Sequence, residues 1–213
     1  MTRPPGLRER KKQRTRAALI TAAIELVSSK GYDETTIAEI AAAADIAPRT
    51  FFAYFPGKED ILFADSQSRV DEIAALVAER HAGETVADVL LRALRTAVTS
   101  GAATRDLTGD LAVRRVHVVL STPALQAGVL RRMVSAQQQL TAALLTAFPG
   151  ELAEADAAAA VGALVGSMVT VAFTTFARNP SPEELLGVLL SATRVALDGI
   201  RSLGPAAEGP AAE

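Results

Sequence analysis

TIAEIAAAADIAPRTFFAYFPGKEDIL, residues 36 to 62, reads as two short helices joined by a tight corner, with another helix opening directly behind them. Ile37, Ile40, Ala41 and Ala44 fall at i, i+3, i+4 and i+7 and form one apolar stripe on a helix whose N-cap is Thr35 or Thr36. Asp45 interrupts that stripe at the corner. Pro48 suits the first turn of a second helix, where its fixed φ and missing N–H cost nothing. This helix runs from about Pro48 to Tyr54, with Phe51 and Phe55 directed inward and Arg49, Thr50, Ala53 and Tyr54 largely outward. Pro56-Gly57 ends it, and Lys58-Glu59-Asp60 opens the next. The pattern is a helix-turn-helix.

The outward residues have the chemistry of base readers. An arginine can donate two hydrogen bonds to guanine in the major groove, and Thr or Ala can meet a thymine methyl. Lys58, with the free N–H groups of a helix N-terminus, could hold a phosphate. Just upstream, Arg8, Arg10, Lys11, Lys12, Arg14 and Arg16 set six cations against one acid, Glu9, which reads as a phosphate-tracking arm. The competing reading is a solubilising tail, and its place beside the second helix disfavours that. The formal net charge of −2 argues mildly against nucleic acid as a partner, but local charge decides more than the total.

Gly31-Tyr32, Thr36-Ile37, Ile40-Ala41, Pro48-Arg49-Thr50-Phe51, Tyr54-Phe55-Pro56 and Lys58-Glu59 together resemble the N-terminal domain of the tetracycline-repressor (TetR) family. The likeness spans roughly Arg10 to Asp65 in fixed register, which a lone short motif would not do. It implies contacts to double-stranded DNA from Thr36, Ala47, Pro48, Arg49, Thr50, Phe52, Tyr54 and Lys58, with Arg10, Lys11 and Arg14 contributing from the arm. Two positions depart from the family pattern. Asp45 stands where glycine is usual and can adopt the left-handed conformation at some cost. Phe52 stands where many members have a tyrosine that touches phosphate, so that contact is either lost or taken over by Tyr54.

A chain of 213 residues can form one large domain or two small ones without covalent staples. It has no cysteine, which excludes disulfides, thiol catalysis and thiolate metal sites and is compatible with a reducing cytoplasm. His81 and His117 are isolated, and no nucleophile–base pair or phosphate-cradling loop is evident. The expectation is therefore no enzyme, no metal and no cofactor. Abundant alanine and 4% aromatic residues suit closely packed helices, so the fold class is all-α with about nine helices.

Taken in order, residues 1–7 should be disordered, 8–57 the helix-turn-helix domain, 58–203 a helical effector-binding and dimerisation domain, and 204–213 a disordered tail. No secretory signal is read at the start. The helices expected are 8–29, one unbroken helix from Lys58 to about Arg80, 85–100 after a Thr85/Asp88 capping box, 110–120, 123–148, 153–178, and a last one from Ser181-Pro182 to about Leu203. Residues 101–109 read as loop. The helix 153–178 is apolar nearly all round and long enough for a membrane span. Its Ala, Gly, Val and Thr content with a single Leu favours instead a helix buried among helices, so no membrane partner is expected.

The last two helices carry more apolar surface than one pair can hide. The resemblance implies a homodimer built on them, here through Gly162, Val165, Val169, Phe173, Leu186, Leu190, Val195 and Leu197, which would read an inverted-repeat operator. It also implies a small-molecule effector in the middle helices, placed here against Leu91, Leu94, Arg95, Val116, His117, Leu120, Met133 and Gln137. Most of the polar residues among these helices, such as Arg92, Arg114, Arg115, Arg131 and Arg132, read as a solvated face. The run RRVHVVLSTPAL, residues 114–125, resembles actinobacterial relatives of the mycofactocin-biosynthesis regulator, implying an apolar or acyl effector. The picture is a cytoplasmic repressor released by its ligand. The competing readings are an activating or ligand-independent regulator, a helical small-molecule carrier, and a membrane-associated interaction protein.

Overall fold

Apolar residues at helical spacing, broken by Gly, Pro and short polar links, build ten helices and no strand among the residues described by the computed structural model, 6–99, 110–176 and 181–200. In chain order these are α1 (Leu7–Lys30), α2 (Ile37–Ala43), α3 (Pro48–Phe51), α4 (Lys58–Leu62), α5 (Ser66–Ala78), α6 (Val86–Thr99), α7 (Asp110–Ser121), α8 (Pro123–Ala147), α9 (Glu154–Phe176) and α10 (Pro182–Ile200). The chain divides into two compact units, one of residues 1–64 with 114–128 and the other of residues 65–113 with 129–213. The first unit thus extends through Ala64 and also takes in the segment around the α7–α8 link. Residues 1–5 of the stretch 1–7 expected to be disordered, the expected tail 204–213 and the expected loop 101–109 lie outside the described residues, while Leu7 is already helical.

In the first unit α1 buries Leu19, Ala22, Ala23, Ile24 and Val27 and stops at Gly31, whose φ of 93° is open to glycine at no steric cost. Its N-terminal turns, through Arg14, are exposed. A reciprocal capping box starts α2. The Thr36 hydroxyl accepts from the Glu39 N–H at 3.2 Å while the Glu39 carboxylate accepts from the Thr36 N–H at 2.9 Å. Thr36 is thus the N-cap, and its neighbour Thr35 is buried. Ile40 and Ala41 are fully buried on the stripe the spacing predicted.

The helix expected to run unbroken from Lys58 to Arg80 is two helices. After α4 the chain turns through Phe63 and Ala64, and Asp65 adopts a left-handed φ of 64° before α5 begins. No glycine or proline marks this break in the sequence. Asp tolerates that conformation better than most residues, and the Asp65 carbonyl accepts the Ser68 hydroxyl and the Arg69 N–H, both at 3.1 Å.

In the second unit the Thr85/Asp88 box is formed as expected, with the Thr85 hydroxyl donating to the Asp88 carboxylate at 2.6 Å and the Asp88 N–H returning to it at 3.3 Å. Arg92 ties the α5–α6 link together. It donates to the Glu84 carboxylate at 2.6 and 3.0 Å, to the Leu76 carbonyl at 3.2 Å and to the Glu79 carbonyl. The core collects Val77, Val89, Leu90, Ala93, Leu140, Leu144, Phe148, Val161, Leu164 and Leu197. Alanines 157 and 160 let α9 approach closely.

Within one chain α9 is only partly enclosed. Ala157, Ala160, Val161 and Leu164 are buried, but only 22% of its apolar window is, although Glu154–Thr175 has a mean hydropathy of 1.8. By length and composition this helix could cross a membrane. One face packs on its own unit, largely against α10, and the remainder is half-buried or exposed.

Candidate nucleic-acid interface

The corner between α2 and α3 is a Schellman motif. The Ile46 N–H reaches back to the Ala41 carbonyl at 3.0 Å and the Asp45 N–H to the Ala42 carbonyl at 3.1 Å, with Asp45 left-handed at φ 54°. The corner thereby satisfies carbonyls at the end of α2 and aims the chain into Pro48. Helix α3 is shorter than expected, four residues rather than seven. Beyond Phe51 the Ala53 and Tyr54 N–H groups bond three residues back, to Thr50 and Phe51, at 3.1 and 2.9 Å. That tightening is a 3₁₀-type turn, and the residue before Pro56 is steered away from helix in any case.

The short helix nevertheless sorts its side chains as the spacing predicted. Phe51 and Phe55 are buried with ring centres 5.9 Å apart, and the Arg16 guanidinium lies 5.0 Å from the Phe55 ring. Ala47, Pro48, Arg49, Phe52 and Ala53 are exposed, and Thr50 and Tyr54 are half-buried. Phe52 presents 58% of its surface and meets Phe51 edge-on at 5.6 Å. Arg10, Lys11 and Arg14 are exposed on the first turns of α1, so the basic arm is helical.

Two of the expected contact residues hold internal bonds. Thr36 is exposed, but its hydroxyl donates to Glu39 at 2.7 Å as part of the cap. Glu39 also takes the Lys30 ammonium at 2.6 Å. Hydrogen bonds from Lys30 and then Thr36 hold the Glu39 carboxyl down at about 2. Lys58 is not directed outward as its place at the helix start suggested. Its Nζ donates to the Tyr32 carbonyl at 2.6 Å and the Thr35 carbonyl at 2.9 Å, and lies 4.1 Å from the centre of the Tyr32 ring. Burial, helped by the carboxylates of Glu59, Asp33 and Asp60, raises the Tyr32 hydroxyl above its ordinary range.

The expected effector residues divide between the units. Leu91, Leu94, Arg95, Met133 and Gln137 belong to the second unit, Val116, His117 and Leu120 to the first. In the second unit an open hollow of about 290 Å³ runs beside α6, lined by Asp88, Leu91, Arg92, Arg95 and Thr96. Arg115, expected on a solvated face, is instead buried, with Nη1 at 3.5 Å from the Ala64 carbonyl.

Among the residues assigned to a dimer contact, Gly162, Val165, Val169 and Phe173 are half-buried on α9. Leu190 and Val195 are exposed at 42% and 72%. The side chain of Leu186 lies outside the described residues. Leu197 is instead 2% exposed and sits in the core of its own unit.

Residues 19–64 match the model of bacterial regulatory proteins of the tetR family, and residues 88–201, over half of the chain, match the MftR C-terminal domain. The chain belongs to the TetR family. TetR-family relatives include the HTH-type transcriptional regulator TcmR of Streptomyces glaucescens, 35% identical over 130 residues covering 60% of this chain and 58% of TcmR. The mycofactocin biosynthesis regulator MftR of Mycobacterium tuberculosis is 32% identical over 106 residues, 49% of this chain and 51% of MftR. The matched stretch thus spans little over half the length of either relative.

Solved TetR-type structures agree in fold. The SmeT–triclosan complex matches with a TM-score of 0.61 at 18% identity, over 93% of this chain and 99% of that one. The fatty acid degradation regulator FadR of Bacillus halodurans matches at 0.56 and 19%, over 86% and 98%. TetR-family members are transcriptional regulators rather than enzymes.

Proposed function

We propose that this chain is a sequence-specific DNA-binding repressor that acts in the cytoplasm as a homodimer on an inverted-repeat operator and is released by a small apolar or acyl molecule. The observation that carries the reading is the exposed row Ala47, Pro48, Arg49, Phe52 and Ala53 on and flanking the short helix α3, anchored by buried Phe51 and Phe55. A helix-turn-helix second helix that shows an arginine, small residues and an aromatic face to solvent has what major-groove readout needs. The exposed cations of α1 supply the sequence-independent phosphate attraction.

Dimerisation is supported by the apolar α9 and α10 surface left uncovered within one chain, including Leu190 and Val195. An apolar or acyl effector is supported by the match to the MftR C-terminal domain and by the likeness in fold to the SmeT–triclosan complex and to a fatty acid degradation regulator. The test is binding to fluorescent duplexes from the chain's own upstream region and to a scrambled duplex across a salt series. Selective binding that weakens steeply with salt upholds the reading. Equal affinity for both duplexes, unchanged by Arg49→Ala, overturns it.

A further inference from the structure

Lys58 stands at the start of α4, where the sequence leads one to expect a phosphate contact, yet its bonds run inward. The two carbonyls it holds, at 2.6 and 2.9 Å, belong to Tyr32 and Thr35 in the link between α1 and α2. That link is itself knotted. Thr35 is 1% exposed, its hydroxyl donates to the Gly31 carbonyl at 2.7 Å, and its N–H donates to the Tyr32 carbonyl at 3.3 Å. The Tyr32 carbonyl therefore accepts from two donors, and the Tyr32 ring offers its face to the same ammonium at 4.1 Å. An ammonium has three donors and no acceptor, and two carbonyls with one ring face are what three donors can serve. Such an ion is strongly hydrated in water, so it settles into protein only where charge-assisted bonds replace its shell.

We infer that Lys58 is a positioning residue of the DNA interface, and that its ammonium is not a phosphate ligand. Its bonds tie the first turn of α4 to the end of the α1–α2 link and so close the segment 36–57, which contains α2, the corner and α3. Arg49 and Tyr54 lie between the two tied ends. Closing a segment removes conformational freedom from everything inside it, so the tie sets where the reading side chains stand. The inference rests on the DNA-binding reading above, and part of its test needs no DNA.

The test compares the full-length protein with Lys58→Met, which keeps length and loses charge, and Tyr32→Leu, which keeps the cation and removes the ring. Hydrogen exchange is followed over residues 36–57 without DNA. Affinity for a selected duplex and a scrambled one is then measured across salt concentrations, at a temperature where circular dichroism shows each variant folded. Lys58→Met is expected to exchange faster around the corner and α3 and to bind the selected duplex about tenfold more weakly, with its salt slope and its scrambled-duplex affinity unchanged. Tyr32→Leu should show the same pattern to a smaller degree.

A loss on both duplexes with a salt slope lower by about one in Lys58→Met identifies a phosphate contact and overturns the inference. Faster melting with unchanged exchange and unchanged affinities also overturns it, because the residue would then serve stability alone. Should Lys58→Met fail to fold, Tyr32→Leu decides. Lost selectivity at unchanged salt slope upholds the tie, and unaltered exchange and binding refute it. A wild-type protein that does not discriminate between duplexes refutes the DNA reading, while the exchange comparison still judges the tie.

Discussion

Replacing Asp45 by glycine should stabilise the protein, and replacing it by alanine should not. Asp45 is the left-handed residue of the Schellman corner, with φ 54°, and its N–H and that of Ile46 close the end of α2. Holding an L-residue there costs about 1–2 kcal/mol, less for Asp than for Ala. Glycine removes that cost but gives back about 0.5–1 kcal/mol through the greater freedom of the unfolded chain. The net gain for Asp45→Gly is then roughly 0.5 kcal/mol. Asp45→Ala keeps the strain and should lie about 1 kcal/mol below Asp45→Gly. In a chain of this size the difference between the two variants corresponds to a melting shift of about 2–4 °C. Thermal melts and urea midpoints followed by circular dichroism measure it. Equal stability of the two variants, or Asp45→Gly melting below wild type, would refute the strain argument and assign the corner's stability to something other than backbone conformation.

Arg49→Ala should weaken binding to a selected duplex by about 1–3 kcal/mol while changing scrambled-duplex affinity little, read by fluorescence titration. Leu197→Ala should cost about 2–5 kcal/mol in urea unfolding through a buried cavity, whereas Val195→Glu, at a site 72% exposed, should leave the unfolding of a single chain nearly unchanged and shift the sedimentation of a dimer towards monomer. The Glu39 and Glu84 carboxyls both stand at about 2, below the ordinary 4.5, held there first by hydrogen bonds from Lys30 and Arg92 respectively. Their folded values are depressed, so the stability they give is complete above about pH 4.5 and is lost as pH falls towards 2. Glu39→Gln and Glu84→Gln should flatten the fall in urea midpoint across that window, and an unflattened fall would show that other groups drive acid unfolding.

Much of the first unit was legible because its signals are local. The stripe Ile37–Ala44, the proline at Pro48 and the paired Phe51 and Phe55 each act within a turn or two, and each is found where the spacing put it. The break at Asp65 was not legible, since Phe63-Ala64-Asp65 contains no obligate turn residue and aspartate enters the left-handed region without announcing it. The Lys58 tie was illegible for another reason. It joins residues 23 and 26 positions apart through backbone carbonyls, which have no sequence identity to read. Arg92 and Arg115 show the same limit, because a charged residue among apolar ones reads as solvated until its carbonyl partners are placed. Leu197 lies in the core of its own unit although it shares a face of α10 with exposed Leu190 two turns earlier, and periodicity alone does not say where along a face a unit's own core begins.

Three helices begin with the same four-residue exchange of bonds, Thr36 with Glu39, Thr85 with Asp88 and Ser181 with Glu184. Each start is written in its own residues rather than imposed by a neighbour. An insertion or deletion ahead of Thr36, Thr85 or Ser181 therefore leaves these starting bonds in place. The surfaces of α6 and α10 can then change their chemistry while the bonds that start those helices stay the same.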